Sequence, residues 1–143
     1  MTTVVSASEE ETRAIAADLA RRLRPGDVVA VSGGLGAGKT VFVRGLAEGL
    51  CADPDQVASP TFALLHEYED RDGRPVLVHL DLYRLSGGER ELREIGLPDL
   101  LAGCVTAVEW PSPPAERLLR FTHRVRLTPA AGELRSIEVD EAP

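Results

Sequence analysis

The eight residues Gly33-Gly34-Leu35-Gly36-Ala37-Gly38-Lys39-Thr40 follow the pattern G-x-x-x-x-G-K-[ST], and no other part of the chain restricts its fold as much. Glycines in such a loop let backbone N–H groups wrap around phosphate oxygens without side-chain obstruction. The loop follows Val28-Val29-Ala30-Val31, an unbroken apolar run expected of a strand buried on both faces. It precedes a stretch from Lys39 that carries Val43, Leu46 and Leu50 inward at helical spacing and is broken at Asp53-Pro54. A helix N-terminus at that point adds the positive end of its dipole to the cradle. Lys39 is then expected to reach the outer phosphates and the Thr40 hydroxyl to coordinate magnesium. Gly34, Leu35, Gly36, Ala37, Gly38, Lys39, Thr40 and Val41 are the expected nucleotide-binding residues.

Of the 16 Lys and Arg residues only one is lysine, and it is Lys39. The single slender ammonium stands where a phosphate loop needs one, while arginine serves everywhere else. The chain has no asparagine, so the guanine-specific Asn-Lys-x-Asp element is absent and ATP is favoured over GTP.

The remaining pattern alternates strands and helices. Thr2 to Ser6 reads as a strand, and Ser8 with Glu11 has the spacing of a capping box that opens a helix to about Leu23. Phe62 to Tyr68 and Val76 to Leu80 read as strands joined by a turn at Asp70 to Arg74. Helix is expected over Glu89 to Ile95, with shorter helical turns near Pro98 to Leu101 and Ala115 to Leu119. Cys104 to Val108 reads as a buried strand, and Thr122 to Thr128 with Glu133 to Val139 as a closing hairpin. The expected architecture is a single α/β domain over residues 1–143, three-layered and P-loop NTPase-like, with a central mixed sheet and a C-terminal β-hairpin.

Two carboxylates fall at predicted strand ends, Asp81 after Val76 to Leu80 and Glu109 after Val105 to Val108. That edge is where open α/β sheets bind ligands, and a phosphate loop works with an acidic residue there that holds magnesium or its water shell. Sequence leaves open which of the two binds the metal directly. Ser59-Pro60-Thr61 lies between the loop and Asp81, where nucleotide switches place a hydroxyl that senses the metal, and Thr61 is the candidate. Trp110, the single tryptophan, is either a core anchor or a surface that reports binding.

Other features narrow the function. The net charge of -7 argues against unaided binding to a nucleic-acid backbone. The N-terminus lacks the basic start and apolar run of a signal peptide, and no stretch is apolar enough for a membrane span, so the expected location is the cytoplasm. Cys51 and Cys104 have no metal-type spacing and are expected to be reduced, buried residues; His66, His79 and His123 are assigned no metal. Leu85-Ser86-Gly87-Gly88-Glu89-Arg90 looks like the signature of transporter ATPases. Only 44 residues separate Thr40 from Leu85, too few for the helical subdomain such proteins insert there.

Taken in order, Gly36-Ala37-Gly38-Lys39-Thr40, Ser59-Pro60-Thr61-Phe62, His79-Leu80-Asp81-Leu82-Tyr83-Arg84-Leu85 and Val108-Glu109-Trp110 resemble the TsaE family over nearly the whole chain. Gly34 departs from the aspartate common in that family, at a variable loop position. The resemblance implies a small bacterial P-loop ATPase of tRNA threonylcarbamoyladenosine biosynthesis, weakly active alone. It further implies TsaD-like and TsaB-like partners, with tRNA reached through that complex and the threonylcarbamoyl transfer performed by TsaD. In site terms it implies Lys39, Asp81 and Thr61 as the catalytic set, Asp81 positioning or activating water, and Thr40 and Glu109 holding magnesium. Tyr83 and Arg84 are plausible partner or tRNA contacts. Two other classes fit the loop alone, a small-molecule kinase and a nucleotide-dependent binding module without turnover.

Overall fold

The computed structural model describes residues 2–34, 36–53, 65–81, 103–110, 116 and 119–142. Among the described residues, nine elements run in the order β1 (Thr2–Ser6), α1 (Glu9–Ala20), β2 (Val28–Gly33), α2 (Lys39–Gly49), β3 (Leu65–Glu69), β4 (Pro75–Asp81), β5 (Val105–Glu109), β6 (His123–Pro129) and β7 (Arg135–Glu141). The strands form one mixed sheet of seven in the order β1-β7-β6-β2-β5-β4-β3. Its centre is parallel, with β2 between β6 and β5 and β4 beyond β5. Both flanks are antiparallel, β3 on β4 and the β6–β7 hairpin capped by β1. The expected hairpin therefore forms, but β1 covers it and takes the sheet edge.

Strand parity sorts the side chains. Val29, Val31, Leu77, Val105, Ala107, Val125, Leu127 and Ile137 share one core cluster with Ala16, Leu19 and Ala20 of α1 and Phe42, Val43, Leu46 and Ala47 of α2. The alternate residues Val28, Ala30, Val78, Leu80 and Val108 form a second cluster with Cys104, Leu119 and Phe121. Strand β2 is thus apolar on both sides, which is why its sequence reads as an unbroken run. The expected helices over 89–95 and 98–101 and the transporter-like segment at 85–90 lie outside the described residues.

Helix α1 opens as its capping box predicts. The Ser8 side chain accepts from the Glu11 N–H at 3.1 Å, and the Glu11 carboxylate accepts from the Ala7 N–H at 2.6 Å. Such a cap contributes about 1 kcal/mol. The helix ends at Ala20 rather than Leu23 because Arg22 and Leu23 donate to Leu19 and Ala20, tightening the last residues into i→i+3 turns before Pro25.

Cys104 is buried as expected, but Cys51 is exposed. Ala52 N–H donates to Ala47 O at 2.9 Å and Cys51 N–H to Glu48 O at 3.1 Å, the paired bonds of a Schellman helix end. Cys51 occupies the residue of that motif that must turn left-handed, at φ 68, and its side chain faces out. Glycine is the ordinary occupant. We predict that Cys51→Gly raises stability by about 1 kcal/mol, read as a shift of the urea midpoint; an unchanged or lower midpoint would show that the left-handed turn costs this chain nothing.

Candidate nucleotide-binding site

The loop leaves β2 at its C-terminal edge and enters α2 through Gly38, which caps the helix in the left-handed region at φ 97. Gly36 is also left-handed, at φ 77, so a side chain at either position would strain the turn. The two helices treat their N-termini in opposite ways. Helix α1 places Glu9, Glu10 and Glu11 in its first turn behind the Ser8 cap, whereas α2 has neither a side-chain cap nor an acidic first turn. The dipole at this end of α2 therefore favours an anion.

Lys39 is 6% exposed. Its ammonium donates to the loop carbonyls of Gly33 at 2.9 Å and Gly34 at 2.8 Å, and lies 4.0 Å from the centre of the Trp110 ring. Burial holds the lysine pKa below its ordinary value, while the charges of Glu109 and Asp81 push the other way. Trp110 takes a left-handed backbone, φ 57, immediately after Glu109. For a bulky residue that conformation costs about 1–3 kcal/mol, and here it accompanies the placing of the indole under the lysine. Trp110 is half-buried, neither a core anchor nor freely exposed.

The parallel register of β4 on β5 sets Asp81 directly beside Glu109, each the last residue of its strand. Both fall on the face covered by α2, and Glu109 is 2% exposed. His79, two residues before Asp81 and therefore on the same face, is 0% exposed, and its Nε2 lies 2.5 Å from Glu109 Oε2. Sequence reasoning passed over this histidine because it sought metal-type spacing among histidines. The available signal was a polar residue inside an otherwise apolar strand, two positions from a candidate carboxylate. The structure thus gathers Lys39, Asp81, Glu109, His79 and Trp110 at the edge where Lys39 and Thr40 open α2. Thr61 and Leu35 lie outside the described residues, as do Tyr83 and Arg84.

Beside the loop a cleft of about 390 Å³ opens against Ser8, Thr12, Gly36, Gly38, Val41 and Arg135. Its size falls in the range of small-molecule sites. Among the described residues no group of three or more His, Cys, Asp and Glu side chains could hold a metal alone. The Asp81 and Glu109 carboxylates are oxygen donors of the kind magnesium takes one or two of, completing its shell with phosphates and water. No helix among the described residues is long and apolar enough to cross a membrane.

A central parallel sheet, a glycine loop at the end of β2 and an uncapped helix behind it define an α/β domain of the P-loop type. Residues 6–137 match the family model of threonylcarbamoyl adenosine biosynthesis protein TsaE. The tRNA threonylcarbamoyladenosine biosynthesis protein TsaE of Streptomyces coelicolor is 44% identical over 115 residues, 80% of this chain and 77% of that one. The protein of the same name from Rickettsia conorii is 42% identical over 103 residues, 72% of this chain and 57% of that one. The crystal structure of Bacillus subtilis YdiB superposes with a TM-score of 0.72 at 32% identity, covering 99% of this chain and 86% of that one. The chain belongs to the TsaE family, whose members are proteins of tRNA threonylcarbamoyladenosine biosynthesis.

Proposed function

We propose that this chain is the ATP-binding and ATP-hydrolysing subunit of that modification, acting with TsaD-like and TsaB-like partners and meeting tRNA through them in the cytoplasm. The observation that carries the reading is the convergence of the Lys39 ammonium and the Asp81 and Glu109 carboxylates on an uncapped helix start and glycine loop. Triphosphate oxygens are the acceptors suited to a helix start that has neither a side-chain cap nor an acidic first turn. Lys39, which now donates to loop carbonyls, has ammonium protons to turn toward the outer phosphates. The nucleoside fits the cleft at Ser8, Thr12 and Arg135, which adjoins the loop.

Thr40 and Glu109 are the residues that would hold magnesium, whose chemistry is to neutralise charge on the outer phosphates. Asp81, beside Glu109, orients the attacking water and accepts its proton. Thr61 is proposed as the hydroxyl that senses the occupied site. Catalysis then consists of positioning and charge stabilisation, with little covalent work for the protein. A partner is proposed to complete the site, which accords with weak activity of the chain alone. The threonylcarbamoyl transfer belongs to the TsaD-like partner. The negative net charge fits indirect contact with tRNA.

The test is phosphate release with magnesium ATP, measured for the chain alone and with TsaD-like and TsaB-like proteins. Slow release alone and faster release in the complex are expected; undetectable hydrolysis in the complex would reduce the chain to a binding module. Recovery of those two proteins in a pull-down separates the proposal from a freestanding kinase. We predict that Glu109→Ala raises the magnesium concentration for half-maximal hydrolysis at least about tenfold, with metal-free nucleotide affinity within about twofold. An unaltered magnesium dependence would remove Glu109 from the metal site.

A further inference from the structure

We propose that His79 is a positioning residue that fixes the Glu109 carboxylate in the orientation a magnesium ion requires; this rests on the reading of Glu109 as a metal residue. His79 lies inside β4, fully buried, and its Nε2 makes a polar contact with Glu109 Oε2 at 2.5 Å. Its other ring nitrogen, Nδ1, is buried with no hydrogen-bond partner among the described residues. An imidazole that served packing alone would be a poor choice there, because leucine or methionine fills the space without burying an unsatisfied nitrogen. The cost makes sense if the contact to Glu109 has a use.

The direction of the bond follows from the same accounting. If Nε2 carries the proton it donates to Oε2, and Nδ1 remains a bare acceptor. The opposite arrangement buries an N–H with nothing to receive it, which is the rarer and costlier defect. The bond therefore commits Oε2 and leaves Oε1 of Glu109 for a cation. A glutamate side chain has three rotatable bonds, and the histidine removes that freedom before the metal arrives. Hydrogen-bonded support of a metal carboxylate is worth about 10–100-fold in metal affinity where it has been removed.

The test compares the wild-type chain with His79→Leu and His79→Gln, using a fluorescent ATP analogue titrated in EDTA and again in saturating magnesium. The ratio of the two affinities reports the metal contribution without requiring turnover. His79→Leu is expected to lose at least about tenfold of that ratio while its affinity in EDTA stays within about twofold. Glutamine, whose terminal amide can still donate, is expected to keep most of the ratio. The inference is overturned if His79→Leu keeps the full magnesium effect, if Gln and Leu lose it equally, or if His79→Leu also loses affinity in EDTA, since the histidine would then serve the fold. A wild-type chain that gains nothing from magnesium overturns the metal reading itself, a result visible before either variant is measured.

Discussion

Lys39→Ala is expected to weaken ATP binding by at least about 100-fold, about 2.7 kcal/mol, without unfolding the protein. The ammonium is the one lysine of the chain and is 6% exposed at the loop, with both of its hydrogen bonds made to loop carbonyls. Alanine removes that charge where no other lysine can substitute. The fold should tolerate the change, because the replaced group is itself a desolvated charge held below its ordinary pKa. Calorimetric titration of the variant with ATP and magnesium checks the first part, and a thermal melt the second. Unchanged affinity would mean that the loop does not bind the triphosphate through this lysine.

The largest stability effect is expected at Gly45. Helices α1 and α2 approach so closely there that a Cβ at Gly45 would lie 2.4 Å from the Arg13 carbonyl oxygen and 2.6 Å from the Ala16 Cβ. One turn later, Gly49 would meet the Ala17 carbonyl oxygen at 2.5 Å. The obstructing atoms are backbone and a methyl group, neither of which can rotate away. Gly45→Val should therefore push α1 off α2 and cost about 3 kcal/mol, lowering Tm by about 10 °C in a domain of this size. Gly34→Ala is the control, since nothing lies within 4 Å of a Cβ there and its stability should not change. Equal melts for the two variants would contradict the close helix contact.

That contact illustrates what a sequence reveals and what it conceals. Gly45 and Gly49 sit inside a helical pattern, where glycine alone reads as a weakness; their reason is the backbone of α1, brought there only by the tertiary fold. The phosphate loop, by contrast, was legible because its geometry is local: strand, glycines, lysine and helix are contiguous in the chain. Asp81 and Glu109 were legible as a pair of strand ends, although their register as neighbours follows from the β4–β5 pairing. The His79 contact was hidden for the same reason, since it spans 30 residues of sequence and depends on that parallel register. The left-handed Trp110 beneath Lys39 could not be read at all, because no local signal marks a non-glycine residue for that conformation. The exposed Cys51 was misread for a related reason, a helix end that most chains close with glycine.

The central proposal is that ATP hydrolysis at this loop serves tRNA modification carried out by a partner. Its most direct measurement is the yield of threonylcarbamoyladenosine per modifying complex, by mass spectrometry of tRNA nucleosides, with the TsaD-like and TsaB-like proteins, a threonylcarbamoyl donor, ATP and tRNA held constant. With the wild-type chain we expect many modified tRNAs per complex, and with Lys39→Ala about the yield obtained when the chain is left out. Equal multiple-turnover yields with the wild type and with Lys39→Ala would contradict the account.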